Sequence, residues 1–164
     1  MSLVARKDIN PIEGDAPDIN DGGVTVKAGA FWPEIRLADL RKSMRLNGTV
    51  TTDRLQHNTR EAVRSVTRQL IDWKAMQEAE GYAALSAVPA DEIDGQSERV
   101  YCFQRAVYCM TKALLTEGYR DFDTTEQGEK HAAALTSQID TLWRDANWAI
   151  RDLQFTPRGL AELV

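Results

Sequence analysis

No stretch of this sequence approaches the ~18 to 20 uncharged apolar residues that a membrane-spanning helix needs, and its opening run, MSLVARKDINPIEGDAP, lacks the apolar centre of a secretory signal. A protein that stays where it is made is expected. Cysteine is scarce: Cys102 and Cys109 are the two in the chain, and in an unexported protein they are expected as reduced thiols. On one helix, seven residues would set their Cα atoms about 10.5 Å apart, past the roughly 7 Å reach of a disulfide. Histidine is equally scarce. His57 and His131 are remote in sequence from the cysteines, and neither C-x-x-C nor H-x-x-x-H occurs, so no metal site is expected. The glycine patterns of nucleotide-binding loops, G-x-G-x-x-G and G-x-x-x-x-G-K-[ST], are absent too, which removes ordinary ATPase and Rossmann chemistry. Positive charge is also in deficit. A net charge of −5, from 20 basic and 25 acidic residues, is a poor match for holding a nucleic-acid duplex by counterion release.

What is present is helical periodicity. The 164 residues suffice for one domain with tails. Residues 1–30 hold four glycines, two prolines, five acids and three bases without apolar periodicity, and are expected as a flexible arm. Order is expected from FWPEIRLADLRKSMRLNGTV, where Pro33 suits a helix start and Leu37, Leu40 and Met44 recur at helical steps over about residues 34–45. A long amphipathic helix is expected over about 51–81, capped by Thr51, Thr52 or Asp53 and closed by Gly81, with Val63, Val66, Leu70 and Trp73 inward. YAALSAVPADEIDGQSE reads as a connector, with Ser97 as the cap of the next helix. In that helix, about 97–117, Val100, Phe103, Val107, Met110 and Leu114 form one seam, Tyr101, Cys102, Tyr108 and Cys109 lie to either side, and Gln104, Arg105, Thr111 and Lys112 form a narrow wet stripe. A last helix, capped by Thr124 or Thr125, carries Ala132, Leu135, Ile139, Leu142, Ala146, Ala149 and Leu153 in unbroken 3, 4 alternation. No strand alternation rises above this pattern. The expected fold class is all-α: a helical bundle of three long helices and one short one, with an arm at 1–30, the bundle at 31–153 and a C-terminal tail at 154–164.

The repeated Val-Tyr-Cys of RVYCFQRAVYCM therefore places two thiols beside a buried seam, where cysteine behaves as a small apolar residue and not as a nucleophile. Asp121, Asp123, Glu126 and Glu129 do not follow a calcium loop and are explained by capping and the helix dipole. With no catalytic constellation and no cofactor signature, an enzyme is not expected. Three features stand outside the core pattern: Trp148 off the regular seam, Phe155 and Leu160 in the tail, and Phe31-Trp32 beside the arm. Each is either an anchor for a partner or a side chain folded back on the bundle. Arg60, Arg64 and Arg68 form a basic ladder at i, i+4 and i+8, readable as a subunit contact or as a solvated face. The residues alone read as a helical interaction module. A small DNA-binding or regulatory helical protein is the alternative, although no basic recognition helix is evident.

Three segments, FWPEIRLADLRKSMRLNGTVTTDRL, LSAVPADEIDGQSERVYCFQRAVYCMTKALL and YRDFDTT followed by RDANWAIRDLQ, resemble in order and spacing the head completion (head stabilisation) proteins of temperate phages with contractile tails. The resemblance runs from about Phe31 to Leu153. It implies a virion protein at the head–tail connector, present in the host cytoplasm during assembly, that binds the portal protein after DNA packaging, stabilises the filled head and offers a docking surface to a neck or tail completion protein. It further implies a homo-oligomeric ring, of twelve copies to match the portal, through which packaged DNA passes without sequence-specific binding, and it implies no cofactor and no membrane. Adaptors of similar role use their C-terminal segments on the portal, so Trp148, Phe155, Arg158 and Leu160 are the expected portal contacts. Arg60, Arg64 and Arg68 are the expected subunit contact, against acids of a neighbour.

Overall fold

The computed structural model describes residues 18–120 and 126–158, and the side chains of 18–120 and 130–158. In chain order the elements are β1 (Thr25–Val26), β2 (Ile35–Arg36), α1 (Leu37–Ser43), α2 (Thr52–Gln69), α3 (Ile71–Ala79), a 3₁₀ turn at Leu85–Ala87, β3 (Glu92–Ile93), β4 (Gln96–Ser97), α4 (Glu98–Arg120) and α5 (Glu126–Leu153). The protein is mostly helical, with two small antiparallel strand pairs that the all-α expectation lacked. The expected helix over 51–81 divides at Leu70, whose φ and ψ of −101° and 11° separate α2 from α3; neither Gly nor Pro marks the division.

Helix α4 is the centre. Val100, Phe103, Val107 and Met110 are buried along its expected seam, and Cys102, Ala106, Cys109 and Ala113 are buried along a second stripe. Full burial of a side chain such as that of Phe103 contributes about 1.5–3 kcal/mol each time it recurs. The second stripe is small because α5 lies against it: Ala146 and Ala149 are both buried, and Arg105 reaches across to Asp145 at 3.7 Å. Buried small residues on both sides let the two helices approach closely. Helix α2 covers another side with Leu55, Ala62, Val63 and Val66, starts from a Thr51 Oγ1 that accepts from the Arg54 N–H, and satisfies its buried Thr59 hydroxyl on the Leu55 carbonyl. Thr111, read as part of the wet stripe, is buried and donates to the Val107 carbonyl. From Lys130 to Gln138 α5 contributes no buried residue: Ile139 is its first described one. Thr124 and Thr125, the expected caps, lie outside the described residues, as do Asp121 and Asp123 and the side chains of Glu126 and Glu129.

Both cysteines are buried, and burial pushes the Cys102 thiol up to about 11 and raises that of Cys109. A thiol held there is almost wholly protonated near neutral pH. Native protein at pH 8 is expected to react with iodoacetamide at least about 100-fold more slowly than protein in urea, where a thiol returns to the ordinary ~8.5; equal rates would place the thiols outside the core.

Residues 18–30 are not the free arm expected of them. Val26 is in the core, and β1 pairs with β2 in the register Thr25↔Arg36 and Val26↔Ile35. Asp21 is buried on Arg41 of α1: the Arg41 Nε donates to one carboxylate oxygen, its Nη2 to the other at 3.1 Å, and Thr52 Oγ1 adds a bond of 2.7 Å. Composition hid this because the partner of Asp21 lies twenty residues away. The β1–β2 connection carries Phe31 and Trp32 inward. Trp32 stacks on Phe103 at 5.0 Å, and Phe31 sits edge-on to Trp32 at 4.8 Å and to Trp73 at 6.4 Å. Of the two readings open for this pair, folding back is the one realised.

The strands β3 and β4 form a tight hairpin across Asp94-Gly95, both at positive φ of 54° and 74°, as a two-residue primed turn requires. Ser97 does not act as the expected cap: its hydroxyl is buried with no hydrogen-bond partner, while the Glu98 N–H donates to the Asp91 carbonyl. Ser97→Ala is therefore expected to raise stability by about 1 kcal/mol in urea unfolding, since it removes an unsatisfied buried group. A cap would give a loss of similar size.

Candidate docking surface

The start of α4 and the end of α5 meet at one end of the molecule, and a buried arginine joins them. Arg99 continues the second apolar stripe of α4, three residues before Cys102, and is 8% exposed. Its Nε donates to the Pro89 carbonyl at 3.1 Å and its Nη1 to the carbonyl of Leu153. The second bond satisfies a carbonyl in the last turn of α5, where the helix dipole also favours a cation. Trp73 and Phe155 lie over the guanidinium at 5.3 Å and 3.7 Å from ring centroid to Cζ. Burial pulls the Arg99 pKa below its ordinary value, an effect that Glu98 opposes. Sequence reasoning missed Arg99; the signal was its register with Cys102, Ala106, Cys109 and Ala113.

Beyond Leu153 the chain closes α5 with two bonds, Phe155 N–H to the Asp152 carbonyl at 3.0 Å and Thr156 N–H to the Arg151 carbonyl at 3.0 Å. This is the Schellman arrangement, whose left-handed residue is most often glycine. Here it is Phe155, at φ 55°. The conformation costs a non-glycine residue about 1 kcal/mol or more, and the ring it holds is 56% exposed. Seven residues earlier on α5, Trp148 is half-buried between two arginines, with the Cζ of Arg144 at 4.6 Å and that of Arg158 at 4.8 Å from its ring centroid. Arg158 is fixed by a two-pronged pair with Asp152, Nε to Oδ1 at 2.9 Å and Nη2 to Oδ2 at 2.6 Å, which raises its pKa. The fold thus brings Trp148 and Arg158 into contact, while Phe155, between them in sequence, packs on Arg99. Leu160 lies outside the described residues. Exposed aromatic rings stacked with arginine are the residue types that carry binding energy at protein interfaces.

Arg60, Arg64 and Arg68 are all exposed on α2. Arg64 is held by Glu61 at 2.6 Å; Arg60 and Arg68 have no ion pair among the described residues. Arg60 and Arg64 border a concavity of about 500 Å³ against β1. A larger open groove of about 820 Å³ runs between α1, α4 and α5, lined by Asp39, Lys42, Tyr101, Tyr108 and Leu142 among others. Among the described residues there is no group of three or more His, Cys, Asp or Glu side chains placed to hold a metal, and no helix long and apolar enough to cross a membrane.

Comparison with known proteins adds two matches. The family described as "Phage head completion protein (GPL)" matches residues 26–164. A protein of Escherichia phage P2 named "Head completion/stabilization protein" is 34% identical over 168 aligned positions, spanning 100% of this chain and 99% of that one. No solved structure matches.

Proposed function

Because this chain belongs to the phage head completion protein family, and so has a structural role in the phage head, we propose that it joins the filled head by binding the portal protein. In this reading it docks after DNA packaging, stabilises the head and presents a surface to a neck or tail completion protein. Copies form a ring, twelve of them where the portal has twelve subunits, at the head–tail connector of the virion, after assembly in the host cytoplasm. The portal contact is the surface built from Trp148, Phe155 and Arg158, with Leu160 following. The observation that carries this choice is Phe155: an exposed ring held in a conformation that would cost glycine nothing. Packaged DNA passes the ring without being gripped, in keeping with a net charge of −5.

Quantitative mass spectrometry of purified DNA-filled particles tests the reading. A ratio to the portal protein near one to one is expected, and absence from filled particles would refute it. Truncation after Gln154 is expected to remove the chain from the particles; normal incorporation of the truncated chain would move the portal contact elsewhere.

A further inference from the structure

Each copy carries a projecting acidic element and a basic hollow. The β3–β4 hairpin exposes Asp91, Glu92, Ile93 and Asp94, and Ile93, at 55% exposed, is among the most exposed large apolar side chains of the protein. None of the three acids has an ion pair among the described residues. The hollow of about 500 Å³ lies between β1 and α2, floored by Val26 and Val63 and bordered by Lys27, Arg60 and Arg64, with Arg68 one turn further along α2. Two carboxylates already act there, Glu34 on Lys27 at 3.1 Å and Glu61 on Arg64. The four cations still leave an excess of positive charge. The hairpin is held firmly: its turn is the tight Asp94-Gly95 type, and Gln96 Nε2 donates to Gln104 Oε1 on the wet stripe of α4 at 3.4 Å. The hollow is built by β1 and α2, whereas the hairpin packs on α4. The two features belong to different elements of one copy, with no ion pair between them among the described residues.

We propose that the hairpin of one copy seats in the hollow of the next, with Ile93 on the apolar floor and Asp91, Glu92 and Asp94 against Arg60, Arg64 and Lys27. The occupant is a second copy because this chain itself supplies both the charge and the apolar tip that the hollow lacks. Contact between two different patches is heterologous, and heterologous contacts propagate head to tail, forming a ring where the rotation closes. Opposed charges at the rim fix register and suppress wrong pairings, while the buried apolar tip excludes water. The proposal rests on the ring reading above and names its lateral contact.

The test is made in particles of the parent phage deleted for its own copy of this chain and supplied with full-length variants. One variant reverses the hairpin, Glu92→Arg with Asp94→Arg; a second reverses the hollow, Arg60→Glu with Arg64→Glu; a third combines all four. Each reversal alone is expected to lower copies per portal by about tenfold or more, and the combination to recover to within about threefold of the unchanged chain. Recovery also separates lost contact from lost folding, because a substitution on a distant element does not repair a misfolded chain. Normal incorporation of either single reversal, or a combination no better than the singles, would overturn the contact. An unchanged chain absent from filled particles would instead refute the ring reading beneath it.

Discussion

Asp21→Asn is expected to destabilise the protein by about 3–5 kcal/mol, the scale at which one partner of a buried ion pair is removed. In a chain of this length that amounts to a fall in melting temperature on the order of 10 °C. Asp21 is 7% exposed and its Arg41 side chain 13%. Arg41 also donates to the carbonyls of Val50 at 2.7 Å and Asn47 at 3.2 Å, so the guanidinium is fixed and cannot swing out to water when its carboxylate is lost. The amide also sets an NH2 donor where Arg41 Nε needs an acceptor, beside Thr52, which ties segment 18–24 to the start of α2 through the N–H of Asn20 at 2.8 Å. Adding Arg41→Met to Asp21→Asn is expected to restore more than half of the loss, because no uncompensated charge then remains. Chemical unfolding of the three variants checks both statements. A loss below about 1 kcal/mol, the range of exposed pairs, would mean that the pair is open to water.

The same pair sets a pH dependence. The hydrogen bond from Arg41 holds the Asp21 carboxyl below its ordinary value, with Thr52 adding to the effect and burial opposing it. A carboxyl with a folded pKa below its unfolded ~3.9 binds fewer protons folded than unfolded, so its contribution is complete above that unfolded value and fades as pH falls through the folded one. Acid unfolding of the unchanged chain should therefore steepen below about pH 4, and Asp21→Asn should flatten that part of the curve.

Helix positions were legible in the sequence wherever burial is periodic. The seam of Val100, Phe103, Val107 and Met110 needs only one partner face to be read, and so does the run from Ile139 to Leu153. What was illegible depends on partners far away in the chain. Asp21 finds Arg41 and Trp32 finds Phe103, so a segment with an unstructured composition is tied down at one end and packed at the other. The β3–β4 hairpin was missed for a different reason. Asp94-Gly95 carries a hairpin signal of its own, but two-residue strands offer no alternation to accompany it. At the candidate surface, Trp148 and Phe155 stood out because they break the pattern, whereas Arg99 was hidden by obeying it.

Phe155→Gly separates folding from docking. Glycine relieves the left-handed strain by about 1 kcal/mol, while losing the ring over Arg99 costs about 0.5–2 kcal/mol. The two nearly cancel, and a ring that is 56% exposed adds little burial to the balance. The melting temperature should move by no more than a few degrees. If the ring is an interface anchor, its removal costs about 2–4 kcal/mol of docking free energy, roughly 30- to 1,000-fold in affinity for the portal. The variant should then fold normally and fail to enter filled particles, which calorimetry and particle mass spectrometry read independently. Incorporation at the level of the unchanged chain would free Phe155 of any docking role, and a large fall in stability would make its ring part of the Arg99 packing instead. The prediction follows from where the cost and the return fall. Closing α5 needs two backbone bonds and a left-handed residue, both of which glycine supplies more cheaply; the phenyl group returns little to the folded monomer, so its return is sought in a partner.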